Sequence, residues 1–317
     1  MSREDRIQEH EIREHEIHDM LRQFADGFVF QRRSPILHHL AEQGLDHEDI
    51  TFPSSDGVPL EGWFIPAPGS DRLVIANHPL GFNRSGLPTH LEPWRSQWSA
   101  TGNAFDVDLT PDYRILHEAG FNVLAYDLRN HGLSGQGNGG ITTNGIHEAR
   151  DVVGSLHYAR SRPDTRDMAV SLFSRCMGAG ATFAAMAQDP GAFADVRSLV
   201  AVQPVTPRVI VERRLAALGL EDRIDELEKL IVMRTSIGFG PRNPRQWASS
   251  VRVPTYLFQV RDDALTQPSD VQAMFDNIPA TDKQLRWIED TSARFDGYLE
   301  FQRRPKPILD WLTARTR

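Results

Sequence analysis

The 317-residue chain contains a single cysteine, Cys176, so it can form no internal disulfide, and its cysteine usage does not argue for an oxidising compartment. It has no apolar run approaching the roughly 20 residues of a membrane-spanning helix, and the stretch MSREDRIQEHEIREHEI is charged from residue 3 onward. The expectation is a soluble chain with no membrane partner and the cytoplasm as default location. Basic clusters are also lacking. Lys plus Arg is 35 against 43 for Asp plus Glu, a net charge of -8, which leaves no electrostatic footprint for nucleic acid. Histidine is absent after His157, so chemistry that needs an imidazole must take it from the first half of the chain. No cofactor and no metal are expected.

What is present is an alternation of strand and helix patterns from residue 48 onward. EDITFP (48–53) and PLEGWFIP (59–66) flank Ser-Ser-Asp-Gly and read as a hairpin. The short apolar runs LVIAN (73–77), NVLAYD (122–127), MAVSLF (168–173), SLVAVQ (198–203), PTYLFQV (254–260) and QLRWI (284–288) read as strands buried on both faces of a parallel sheet. Helical patterns lie between most of them. The expected fold class is α/β, a mostly parallel sheet of about eight strands with helices on both faces.

Three segments depart from the alternation. Residues 2–25 read as a helix with Ser2 and Asp5 as a capping box and an apolar stripe of Ile17, Met20, Leu21 and Phe24. The division expected is an N-terminal helical extension over 1–47 and one domain over 48–317. Such a helix often packs on a partner subunit, so a homodimer is a candidate assembly. His10, Glu14 and His18 share one of its faces; the metal reading this invites stands against the plainer one of a solvated face, which we prefer. Residues 78–110, with Pro79, Pro88, Pro93, Trp94 and Trp98, are too long for an ordinary connection and read as a lid or pocket wall. RVIVERRLAALG and DRIDELEKLIV within 205–250 are helical by period and read as a small cap inserted between the sixth and seventh strands.

Cys176 sits where the fifth strand gives way to a small-residue helix, in SLFSRCMGAG (171–180). That is the context of a nucleophile elbow, whose tight turn tolerates only small residues two positions to either side. Ser174 and Gly178 supply them.

With this elbow the chain resembles the α/β-hydrolase superfamily over about residues 48–315. NHPLGF (77–82) looks like its His-Gly oxyanion loop, and YDLRNHGLSG (126–135) like its Asp-x-Arg-Gly-His-Gly-x-Ser turn, with Asn130 in place of a glycine. VRDDALTQPSD (260–270) resembles the turn carrying the triad acid, which it assigns to Asp263. A cysteine at the elbow is similar to dienelactone hydrolases. The resemblance implies that Cys176 is the nucleophile, with the N–H groups of Met177 and Leu80 as oxyanion donors, since Pro79 has none. It also implies a small-molecule substrate.

The resemblance fails at one place. The family's histidine should follow the eighth strand, but the turn there reads IEDTSARFDGYLEF and puts Arg294 in its position. Guanidinium stays protonated and cannot be a base. His78 in the oxyanion loop is the candidate substitute base, beside the plainer role of ordering that loop, and Glu289 and Asp290 are further candidates. His131 reads as a residue that orders its turn. Arg294 reads either as the partner of Asp263 or as a bidentate grip on a substrate carboxylate, and Arg175 as a second substrate-facing cation that assists the thiol. Three function classes follow. The first is an enzyme forming a thioester at Cys176 from an ester, lactone or thioester, followed by hydrolysis or acyl transfer. The others are lyase, isomerase or cyclase chemistry in the same pocket, and a non-catalytic binding protein. We prefer the first.

Overall fold

The structure, a computed structural model, describes residues 3–29 and 31–316, with side chains from residue 13 onward. One eight-stranded sheet organises the chain: β1 (Glu48–Pro53), β2 (Pro59–Ile65), β3 (Arg72–Asn77), β4 (Asn122–Tyr126), β5 (Ala169–Arg175), β6 (Ser198–Val202), β7 (Thr255–Val260) and β8 (Lys283–Ile288). Their spatial order is β1-β2-β4-β3-β5-β6-β7-β8. The hairpin β1–β2 and the pair β2–β4 are antiparallel, and every other pairing is parallel. The apolar runs of the inner strands are buried at nearly every position, because helices cover both faces. One face packs against α4 (Ala149–Ser161), α5 (Met177–Gln188) and α9 (Pro268–Asn277). The other packs against α3 (Thr110–Glu118), α10 (Glu300–Arg303) and α11 (Lys306–Arg315).

Because β3 lies between β4 and β5, the chain leaves β3 to one side and returns on the other. Parallel sheets open a crevice at the carboxyl ends of the strands where the order reverses in this way. The walls of that crevice come from the three irregular segments. A short helix, α2 (Trp94–Trp98), stands in the 78–110 segment, and α6 (Pro207–Ala217), α7 (Ile224–Thr235) and α8 (Pro244–Trp247) lie between β6 and β7.

The third segment is α1 (Arg3–Asp26). Its stripe of Ile17, Met20, Leu21 and Phe24 packs, with Ala25, against Leu215 of α6 and Leu227, Leu230 and Ile231 of α7. An ion pair, Glu14 to Arg223 at 2.7 Å, and a hydrogen bond between His18 Nδ1 and Glu226 Oε1 at 3.0 Å flank this contact. The apolar face read as a candidate dimer contact is thus covered from within the chain. The capping box of Ser2 and Asp5 and the side chain of His10 lie outside the described residues. Among the described residues no group of three His, Cys, Asp or Glu side chains is placed to hold a metal ion, and no helix is long and apolar enough to cross a membrane.

Candidate active site

Cys176 follows the last residue of β5 and caps α5, with φ 51° and ψ −111°. A non-glycine residue in this region is strained, and such strain persists only where the surroundings fix it. Three contacts fix it here. The Cys176 N–H donates to the Val202 carbonyl at 2.8 Å, and its own carbonyl accepts from the Gly180 N–H at 3.0 Å. Ser174 Oγ accepts from Asn77 Nδ2 at 2.8 Å and lies 2.8 Å from Thr182 Oγ1, tying β5 to β3 and α5. Gly178 packs so closely on β3 that a Cβ there would sit 2.7 Å from the Asn77 carbonyl oxygen. The small residues of the elbow are therefore demanded by the approach of α5 to the strand ends.

The elbow opens into a cavity of about 520 Å³. Leu80 and Met177 both line it. The Met177 N–H is the first of α5 and has no intrahelical partner, and among the described residues neither it nor the Leu80 N–H is bonded to a protein acceptor. Both residues share the cavity wall with Cys176.

Arg294, in the turn after β8, is buried at 2% exposure. Its Nη1 donates to Asp263 Oδ2 at 2.5 Å, its Nε donates to the Tyr298 hydroxyl at 3.1 Å, and its Nη2 donates to the Gln203 carbonyl. Arg294 and Tyr298 line the same cavity as Cys176. Burial alone would lower the Arg294 pKa, but its neighbours Tyr298, Cys176 and Asp263 together raise it well above the usual value. The Tyr298 phenol is pushed well above its ordinary range, first by burial. Arg294 is thus a fixed cation and Tyr298 a fixed neutral hydroxyl. Asp263 is saturated in turn by the Leu265 N–H at 2.9 Å and Gln259 Nε2 at 3.1 Å.

Several expected site residues are placed elsewhere. Arg294 has no free fork for a substrate carboxylate, since its groups are committed to Asp263, Tyr298 and Gln203. Arg175 turns into the core, paired with Asp112 and stacked 4.0 Å over Phe173, and does not line the cavity. His78 donates from Nδ1 to the Pro79 carbonyl at 2.7 Å and accepts at Nε2 from the Leu128 N–H at 2.9 Å. With both nitrogens bonded and the ring outside the cavity wall, it orders the oxyanion loop. Burial, and then the neighbouring His131, hold its pKa well below the usual imidazole value. His131 likewise bonds the Arg129 carbonyl at 2.8 Å. Glu289 is exposed and pairs with Arg261 at 2.8 Å, and Asp290 is exposed. Asn130 takes φ 66°, the left-handed region that asparagine tolerates best after glycine, which explains its substitution for the family's glycine.

Sequence reasoning did not single out Tyr298, Gln203 or Arg214 as site residues. Tyr298 carries a weak signal, standing four residues after Arg294 and so one helical turn away. Gln203 and Arg214 carry none, because a polar residue at a strand end and one arginine among several in a helix are ordinary. The cavity wall contains no aspartate, glutamate or histidine side chain among the described residues.

The fold is similar to that of the esterase Pf2001 of Pyrococcus furiosus, at 20% identity and a TM-score of 0.67, over 92% of this chain and 99% of that one. It is similar to the α/β hydrolase GrgF of Penicillium sp. sh18, at 17% identity and TM-score 0.56, over 86% of this chain and 99% of that one. A dienelactone hydrolase of Anabaena variabilis aligns at 16% identity and TM-score 0.51, over 86% and 99% of the two chains. No protein-family model matches the sequence, and no curated protein sequence matches it. The chain has the α/β-hydrolase fold.

Proposed function

We propose that the protein is an acyl-transferring enzyme of the hydrolase fold that forms a thioester at Cys176 and passes the acyl group to an acceptor more readily than to water. The observation that carries this reading is the wall of the cavity. Cys176 shares it with a permanent cation and a hydroxyl, Arg294 and Tyr298, while no aspartate, glutamate or histidine among the described residues stands on it.

The first step runs through the Cys176 thiolate, the thiol proton passing to solvent. The thiolate attacks the carbonyl carbon, an S–C bond forms, and the carbonyl π electrons move to oxygen, which the Leu80 and Met177 N–H groups receive. Collapse expels the leaving group with its bonding pair. A thiolate, phenolate or enolate leaves without a proton, whereas an alkoxide would demand one. The substrates that fit are therefore thioesters, aryl esters and enol lactones. In the second step a nucleophile attacks the thioester carbon and Cys176 leaves as thiolate. A thiolate does this with no proton transfer, and an amine does it by passing its surplus proton to the departing Cys176 thiolate or to solvent. Water requires general-base help worth about 10²–10⁴-fold, and no cavity residue supplies it.

An activated aryl ester tests the reading. The expected result is a burst of about one equivalent of phenolate, a slow steady rate, and an intact mass raised by one acyl group in the parent and not in Cys176→Ala. Added alkylamine should accelerate the steady phase. Failure of any ester or thioester to label Cys176 would leave the non-catalytic binding reading, which the saturated, base-free site also accommodates.

A further inference from the structure

Tyr298 is buried, and its ring is fixed against Phe82 and Phe295, whose centroids lie 5.4 and 5.3 Å away. Its hydroxyl accepts from Arg294 Nε at 3.1 Å. A buried phenol ordinarily spends its own proton on a protein acceptor. Tyr113 and Tyr126 do so here, the first donating to the Arg84 carbonyl at 2.5 Å and the second to Asn77 Oδ1 at 2.6 Å. Among the described residues no nitrogen or oxygen atom takes the proton of Tyr298. The takers that remain are the Cys176 sulfur, on the same cavity wall, and a molecule bound in the cavity.

The place of this hydroxyl gives it a use. In a triad of this fold the histidine after the last strand hands a proton to the leaving group. Arg294 follows β8 and is paired with Asp263 at 2.5 Å, and a guanidinium keeps its protons. It can orient and polarise a neighbouring O–H instead. Burial, with Cys176 adding to it, holds the phenol above its ordinary pKa range, so the hydroxyl donates a hydrogen bond without giving up its proton. Once the sulfur has passed its charge to the substrate carbonyl it is a weak acceptor, and the charge next appears on the departing atom.

We propose that Tyr298 is a catalytic residue of the acylation step, its hydroxyl donating a hydrogen bond to the oxygen that leaves as the C–O bond breaks with its electron pair. The phenol keeps its proton, and the leaving group departs as a hydrogen-bonded anion. This rests on the acyl-transfer reading and narrows its donors, because oxygen accepts such a bond more strongly than sulfur; esters with an oxygen leaving group are favoured over thioesters.

The test is the burst rate of Tyr298→Phe, which keeps the ring and its packing, with dinitrophenyl, nitrophenyl and phenyl acetates at subsaturating concentration. Burst amplitude counts the intact sites, and the comparison along the series is internal to each protein. Phenyl acetate should lose about tenfold to a hundredfold, the range for a hydrogen bond to a charged group, and dinitrophenyl acetate, whose anion disperses its charge, less than about threefold. The dependence on leaving-group acidity is then steeper in the variant than in the parent. Phenyl thioacetate should lose less than phenyl acetate. An equal loss along the series, as from a residue that only ionises the thiol or supports the fold, overturns the proposal, and so does no loss at all. If no ester labels Cys176 in the parent, the acyl-transfer reading falls and this role with it; labelling with an unchanged dependence on the leaving group removes this role alone.

Discussion

Arg294 Nη1 donates to Asp263 Oδ2 at 2.5 Å inside the protein, with both side chains at most 2% exposed. In a catalytic triad that acid orients an imidazole, which in turn takes a proton from the nucleophile. Asp263, at the position the resemblance assigns to that acid, instead holds a cation that cannot accept a proton.

Replacing Arg294 by histidine should restore what the second step lacks. The expected outcome in stopped-flow assays with an aryl ester is a steady rate raised by up to about 10²-fold, the lower end of what a positioned base contributes, with the burst amplitude still near one equivalent. A variant that folds normally and hydrolyses no faster would argue that hydrolysis of the thioester is not limited by the missing base.

Cys176→Ser tests the same logic from the nucleophile's side. A serine hydroxyl stays protonated and needs a base to attack, so acylation should fall by about 10²–10⁴-fold while the protein keeps its melting temperature within a few degrees. Retained acylation by the serine variant would mean that a base does reach residue 176.

Gly178→Ala should damage the elbow itself. Its Cβ would stand 2.7 Å from the Asn77 carbonyl oxygen and 2.8 Å from the Asn77 Cβ, a clash with backbone that must push α5 off β3. A stability loss of about 1–3 kcal/mol is expected from overpacking of this kind, read as a lower urea midpoint, together with a loss of the burst.

His78 supplies a pH prediction. Its pKa is lowered in the folded protein, first by burial, so below about 6.5 the unfolded chain takes up a proton that the folded one refuses. Its contribution is therefore constant above that value and turns against folding as pH falls through it, by up to about 1.4 kcal/mol per pH unit. Asp112 and Asp151, pushed up by burial to about 6 and about 7, act in the opposite sense, so the comparison must be with a variant. His78→Gln keeps an acceptor for the Leu128 N–H and removes the titration. Between pH 7.5 and 5.5 the parent should lose more melting temperature than the variant, and the deacylation rate should be the same in both, because both His78 nitrogens are bonded to backbone groups.

The local chemistry of this protein was written along the chain. Apolar runs of five or six residues separated by helical periods specify a buried parallel sheet, and the small residues around Cys176 specify a tight strand-to-helix turn, because both are constraints between near neighbours. The position of Arg294 after β8 was likewise legible, as was its candidacy as the partner of Asp263, 31 residues earlier. What the chain could not disclose is which way each long polar side chain turns. Arg175 and Arg294 are both buried arginines near the elbow, yet one is drawn into the core by Asp112 and the other is held at the cavity wall by Asp263, Tyr298 and Gln203. The stripe of α1 could have faced a second subunit; only the assembled cap, with Leu215, Leu227 and Ile231 on its underside, decided that it faces inward. Arg214 is one basic residue among several in a helical stretch until α6 sets its guanidinium 5.2 Å over the ring of Trp98 on the cavity wall. Burial and pairing are properties of three-dimensional neighbours far apart in sequence, so the role of a charge here was settled by tertiary contact.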